Sequence, residues 1–159
     1  MSTITVGIGE WAVSRDGSDL IKTFALGSCV AVMIYDTSLH LAGLIHVALP
    51  DSKIDQGLAA KQPGKFADTG LPLMIEEMKA LGARRANIWV KLAGGASMMD
   101  PEAYFDIGKR NILAVKRVLW KSTLGPLAED TGGDTSRTVT MEVGTGLVTL
   151  NSAGRTWAL

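Results

Sequence analysis

The chain has 159 residues, 47% hydrophobic and 20% charged, which is the composition of one globular domain over residues 1–159 rather than a disordered segment. Sixteen basic and sixteen acidic residues cancel, so there is no broad basic field for a nucleic-acid partner, and no apolar run is long enough for membrane insertion. A single cysteine excludes an internal disulfide, and the N-terminus lacks the basic and apolar regions of a signal peptide, so a cytoplasmic protein is expected.

Ile4 to Gly9 alternates weakly and predicts a short strand, which Trp11 to Val13 extends. Arg15 to Asp19 is turn chemistry, and Leu20 to Leu26 is a second strand. Two apolar runs follow, Cys29 to Tyr35 and Leu41 to Leu49, around the polar break Asp36-Thr37-Ser38. This pattern predicts a β-hairpin. With a two-residue turn at Thr37-Ser38, counting back sets Cys29 directly opposite His46, where Cβ atoms stand roughly 4.5–5.5 Å apart.

A thiol beside an imidazole has a specific chemistry. The histidine takes the thiol proton, and the resulting ion pair favours the nucleophilic thiolate. Gly27-Ser28 before Cys29 makes a flexible turn whose backbone N–H groups can face an oxyanion. Thr23, through its hydroxyl or its carbonyl, can orient the imidazole. On residue types alone, Cys29 more often reads as a small buried hydrophobe and His46 as a satisfied core residue.

Pro50 to Gly64 holds two prolines and two glycines and is expected to be the longest loop, starting four residues after His46. Phe66 to Leu81 predicts a helix with Leu71, Met74, Ile75, Met78 and Leu81 on one core-facing stripe. Asp68 or Thr69 is its expected cap, Pro72 is tolerable only in its first turn, and Gly82 stops it. Ala86 to Leu92 is a strand. The loop Gly94-Gly95-Ala96-Ser97 lacks the Lys-Ser/Thr ending of a phosphate-binding loop, so a close backbone approach is the better reading.

Asp106 to Ser122 is a second helix, capped by Asp106 and buried along Ile112, Val115 and Leu119. Lys109, Arg110, Lys116, Arg117 and Lys121 lie largely on its other side, as a solvated face or a patch that steers an acidic partner. Leu124 to Ala128 is a weak strand, and Arg137 to Val143 with Leu147 to Asn151 forms a closing hairpin. Strands outnumber helices and hairpins outnumber crossovers, which makes the fold class α+β.

The stretch Thr23 … Leu26-Gly27-Ser28-Cys29-Val30 … Asp36 … Gly43 … His46 … Leu49-Pro50 resembles the first signature of the CheD family, the chemoreceptor glutamine deamidases. The resemblance continues through Lys65 to Asp68, Lys91 to Ala96, Ile107 to Asn111, Asp130 to Gly133, Ser136-Arg137 and Thr145-Gly146. Ala93 stands where the family often has an aromatic residue, and the tail after Val148 carries no usable pattern. The resemblance implies a β-sandwich-like mixed and antiparallel core flanked by two main helices, similar to glutamine-deamidating bacterial toxins. It implies Cys29 as nucleophile, His46 as acid–base and Thr23 as orienter, with Gly94 and Gly95 close to the site. The partners it implies are chemoreceptor cytoplasmic helices and CheC. No cofactor is implied, and one cysteine with two histidines is a poor zinc set.

Overall fold

The computed structural model describes residues 2–97 and 106–159. Among the described residues, ten strands and three α-helices follow in chain order. They are β1 Thr3–Thr5, β2 Trp11–Ser14, β3 Leu20–Leu26, β4 Val30–Asp36, β5 Leu41–Val47, α1 Gln56–Lys61, α2 Ala67–Ala80, β6 Ile88–Gly94, α3 Ile107–Lys121, β7 Pro126–Thr131, β8 Arg137–Glu142, β9 Val148–Ser152 and β10 Arg155–Ala158. They form two five-stranded sheets, in the orders β1-β3-β8-β9-β10 and β2-β5-β4-β6-β7. Only β1–β3 and β6–β7 pair in parallel, and α3 is the crossover between β6 and β7.

Burial on β4 explains the layering. Every residue from Val30 to Asp36 is buried, as expected of a strand covered on both faces. Val30, Val32 and Ile34 pack with Leu71, Met74 and Met78 of α2 and Val115 and Leu119 of α3. Ala31, Met33 and Tyr35 face the other sheet, meeting Ile21 of β3, Met141 of β8 and Leu150 of β9. The molecule is therefore sheet on sheet on helices, an α+β arrangement with a β-sandwich at its centre. Each buried leucine or methionine of the α2 stripe contributes about 1.5–3 kcal/mol, and Leu71→Ala would cost about 2–5 kcal/mol.

The hairpin register differs from the expected one. Asp36 pairs with Leu41 and Ala31 with His46, so the connection is four residues, Thr37 to His40. Asp36 causes this: its Oδ1 accepts from the N–H groups of Ser38 and Leu39, both at 2.9 Å, and His40 takes a positive φ of 52°. The slip is by two residues rather than one, so each side chain keeps its expected face.

Three other expectations are corrected. The stretch 50–64 is not an open loop: Asp51 caps a 3-10 turn at Ser52–Ile54, and Asp55 caps α1 by accepting from Leu58 N–H. Helix α2 has Phe66 at its N-cap without a side-chain cap, because Asp68 instead accepts from the N–H and hydroxyl of Ser52. Pro72 thus stands in the second turn, and Leu81, at the C-cap, is exposed rather than part of the buried stripe. The unpatterned tail makes a further hairpin, β9–β10, through Ala153 and Gly154, both at positive φ, the conformation of a type I′ turn. No helix among the described residues is long and apolar enough to cross a membrane.

Candidate active site

Thr23 belongs to the first sheet and His46 to the second, and they meet between the sheets. Both are buried, at 0% and 3% exposure. On β3, Ile21 and Thr23 alternate inward. A bulge after Thr23, with Ala25 at φ 54°, then returns Leu26 to the interior and turns the chain away. Gly27 to Cys29 is the passage from the first sheet to the second, so Cys29 sits at the rim where the sheets exchange chain.

The Thr23 hydroxyl lies 2.7 Å from the carbonyl oxygen of Val6 and 2.6 Å from Nδ1 of His46. A carbonyl can only accept, so the single hydroxyl hydrogen goes to Val6. The hydroxyl oxygen then accepts from Nδ1–H. In a neutral ring this leaves Nε2 with an open lone pair. Nε2 is buried and has no hydrogen-bond partner among the described residues, Cys29 included. Gly9 and Glu10 fix the backbone: Gly9 N–H donates to the His46 carbonyl at 2.9 Å, and His46 N–H donates to Glu10 at 3.1 Å.

Cys29 immediately precedes β4, on the same face as Ala31, whose partner is His46. The two side chains are therefore diagonal neighbours rather than directly opposite, on one face of the sheet. Cys29 is half-buried and is a free thiol. Burial pushes its pKa up, against a smaller downward pull from its own backbone N–H and from Lys65. Burial also pushes the His46 pKa down. Both shifts have the same cause, burial, and each disfavours the charged form of its group.

The glycine loop lies directly against the cysteine. Gly95 N–H donates to the Cys29 carbonyl and Ala96 N–H to the Gly27 carbonyl, both at 2.8 Å. Gly94 adopts φ +109°, and a Cβ there would fall 2.2 Å from the Cys29 carbonyl oxygen. The close backbone approach expected at Gly94 and Gly95 is thus found, and it engages carbonyl groups. Arg137 braces the loop from β8, donating to the carbonyls of Gly94 at 3.3 Å and Gly132 at 2.9 Å while pairing with Asp130 at 2.8 Å.

Two residues absent from the expected set also touch this region. Lys65 is the cation acting on Cys29, and its carbonyl accepts from Ala48 and Leu49, just beyond His46. Asn111 of α3, fully buried, donates to the Ser28 carbonyl at 2.9 Å and the Ala48 carbonyl at 3.1 Å. Both fall in stretches that carry the family resemblance, but nothing in their residue types marked them as part of the site. The basic face of α3 divides: Lys116 pairs with Glu129 at 3.0 Å, while Arg110, Arg117 and Lys121 line a groove of about 450 Å³ with Lys53 and Pro50. Among the described residues, no group of three or more His, Cys, Asp or Glu side chains could hold a metal ion.

Residues 48–152 match the family model described as CheD chemotactic sensory transduction. A probable chemoreceptor glutamine deamidase CheD of Syntrophotalea carbinolica is 51% identical over 98% of this chain and 97% of its own length. The probable chemoreceptor glutamine deamidase CheD 1 of Syntrophus aciditrophicus is 43% identical over 97% of this chain and 96% of its own. The chemoreceptor glutamine deamidase CheD of Thermotoga maritima is 41% identical over 94% and 91%.

Proposed function

This chain belongs to the CheD family, and from that premise we propose that it is a chemotaxis hydrolase that converts glutamine side chains of methyl-accepting chemoreceptors to glutamate with release of ammonia. Cys29 is the nucleophile, His46 the proton carrier and Thr23 the orienter. The observation that carries this reading is the Thr23–His46 hydrogen bond, which commits Nδ1 and leaves Nε2 open on the face that holds Cys29.

The reaction begins from the neutral pair. Nε2 takes the thiol proton as sulfur attacks the carboxamide carbon. The carbonyl π electrons move to oxygen, giving an oxyanion that meets backbone N–H groups of the Gly27–Cys29 passage. Throughout, the Thr23 hydroxyl accepts from Nδ1–H and stabilises the transient imidazolium. Nε2–H then protonates the leaving nitrogen, the C–N bond breaks, ammonia departs and a thioester remains. Water, deprotonated by Nε2, attacks the thioester. The C–S bond breaks, the proton returns to sulfur, and glutamate leaves.

Burial suits this stepwise transfer. A neutral thiol resists adventitious oxidation and alkylation, and becomes nucleophilic as Nε2 takes its proton during the attack. The same reading takes chemoreceptor cytoplasmic helices as the substrate, CheC as a family-implied partner, the cytoplasm as the location, and kinship of the sandwich with glutamine-deamidating toxins. The test is ammonia release from a purified chemoreceptor cytoplasmic fragment. The wild type should convert specific glutamines to glutamate by mass, and Cys29→Ala should not. Equal conversion by Cys29→Ala would refute the thiol mechanism.

A further inference from the structure

Asn111 occupies the fork where the ends of β4 and β5 part. Their last paired residues are Val30 and Val47. Beyond that pair, Ala48 and Leu49 turn to the Lys65 carbonyl, and Cys29 turns to Gly95. The side-chain amide of Asn111 fills the gap, one hydrogen to Ser28 and one to Ala48. Its orientation is fixed by chemistry, because a flipped amide would set Oδ1 against two carbonyl oxygens. Helix α3 comes this close because Gly108, one turn earlier, has no side chain. A Cβ there would lie 2.5 Å from the carbonyl oxygens of Gly95 and Ala96.

Three successive carbonyls in the passage are each held by a hydrogen bond. Those of Gly27 and Cys29 are held by backbone N–H groups of the glycine loop, and only the middle one, Ser28, depends on a side chain. The Ser28 carbonyl shares its peptide plane with the Cys29 N–H. In a trans peptide those two groups point in opposite directions, and no cis peptide occurs among the described residues. Holding the Ser28 carbonyl toward α3 therefore turns the Cys29 N–H away from α3, and that N–H lies close enough to its own thiol to pull the thiol pKa down.

We propose that Asn111 is a positioning residue that sets the Ser28–Cys29 peptide plane and thereby aims the Cys29 N–H at the oxyanion formed during deamidation. This rests on the reading of Cys29 as nucleophile. Asn111 itself touches neither substrate nor sulfur in this scheme.

The test separates oxyanion stabilisation from thiol reactivity. Two rates are measured on Asn111→Leu: ammonia release from the chemoreceptor fragment, and alkylation of Cys29 by iodoacetamide. Alkylation at sulfur forms no oxyanion. The expected result is a kcat lower by roughly 10–100-fold, with KM and the alkylation rate within about twofold of wild type. Leu119→Ala, in the core beneath the same helix, should lower Tm yet leave kcat within about twofold below its melting range. If Asn111→Leu does not fold, Asn111→Ser, whose single hydroxyl hydrogen cannot serve both carbonyls, is judged by the same criteria. A folded variant with kcat within about threefold of wild type overturns the proposal. So does a kcat loss matched by an equal change in alkylation, which would place the effect on the thiol. Activity surviving in Cys29→Ala would instead overturn the underlying reading, and this inference with it.

Discussion

The two ends of the β4–β5 hairpin treat buried polar groups in opposite ways. At the turn, the Asp36 carboxylate is 1% exposed and fully engaged. Oδ1 accepts from Ser38 and Leu39, and Oδ2 accepts from Arg84 N–H at 3.0 Å, tying the turn to the segment after α2. At the open end lie His46 Nε2 and Asn111 Oδ1, the only two buried side-chain polar atoms left without a partner among the described residues. Leaving such an atom unpaired costs about 1–3 kcal/mol, and both atoms fall at the end of the hairpin that adjoins Cys29. Both ends belong to the same signature stretch. One holds the hairpin shut, and the other holds the imidazole proposed as the base.

The largest expected effect is at the open end. Cys29→Ala and His46→Ala should each abolish measurable ammonia release while leaving most of the Tm intact. Asp36→Ala should do the reverse. Removing an acceptor of three backbone N–H groups should lower stability by about 2–4 kcal/mol, read by urea denaturation, with kcat near wild type in the folded fraction. A catalytic defect in Asp36→Ala that exceeds its unfolded fraction would erase the contrast between the ends.

Thr23→Val keeps the strand-forming shape and removes the hydroxyl, leaving Nδ1 without its acceptor. A rate loss of roughly 10–100-fold is expected, with Thr23→Ser recovering most of it. Recovery by Thr23→Ser distinguishes orientation of the ring from support of the strand. The structure favours the hydroxyl over the Thr23 carbonyl as the orienting group, since the hydroxyl oxygen is the atom 2.6 Å from Nδ1.

The pH dependence follows from burial. The folded His46 pKa lies below the ordinary imidazole value, so in the window between the two the unfolded chain binds more protons than the folded one. Stability should rise with pH across that window. It should fall as pH drops below about 6.5, down to the folded-state value, and His46→Gln should lose this component. At the alkaline side the raised Cys29 pKa has the opposite sense: the unfolded thiol ionises first, and stability declines as pH climbs past its ordinary range. Activity should likewise hold a plateau through neutrality, with its acid limb below the usual histidine range. The smallest effect concerns the groove of α3. Reversing Arg110 and Arg117 to Glu should slow receptor modification about threefold at low ionic strength and have little effect at high salt.

The open end is legible through the signature that Thr23, Cys29 and His46 share, since residue types alone leave the thiol and the imidazole open to a core reading. All three residues face the space between the sheets. The register departs from the two-residue turn because the turn length is set by a side chain: Asp36 engages Ser38 and Leu39 and admits two more residues. Period-two alternation is blind to a shift of two, so the facing survived the error. The stretch 50–64 showed no helical period because its helical pieces are each one or two turns, specified by Asp51 and Asp55 caps. Asn111 escaped notice for a different reason. A buried amide in a helix reads as one more polar residue until the carbonyls that it binds, about 60 to 80 residues away in sequence, are seen beside it.

The central claim is that a neutral His46, protonated at Nδ1, presents an open Nε2 to the thiol. Long-range 1H–15N correlation of the histidine side chains tests this directly, at neutral pH, with His46 assigned by its loss in His46→Gln. The account predicts a neutral ring protonated at Nδ1 and unprotonated at Nε2, shifting toward the other tautomer in Thr23→Val. An imidazolium signal, or a resting ring protonated at Nε2, would contradict it.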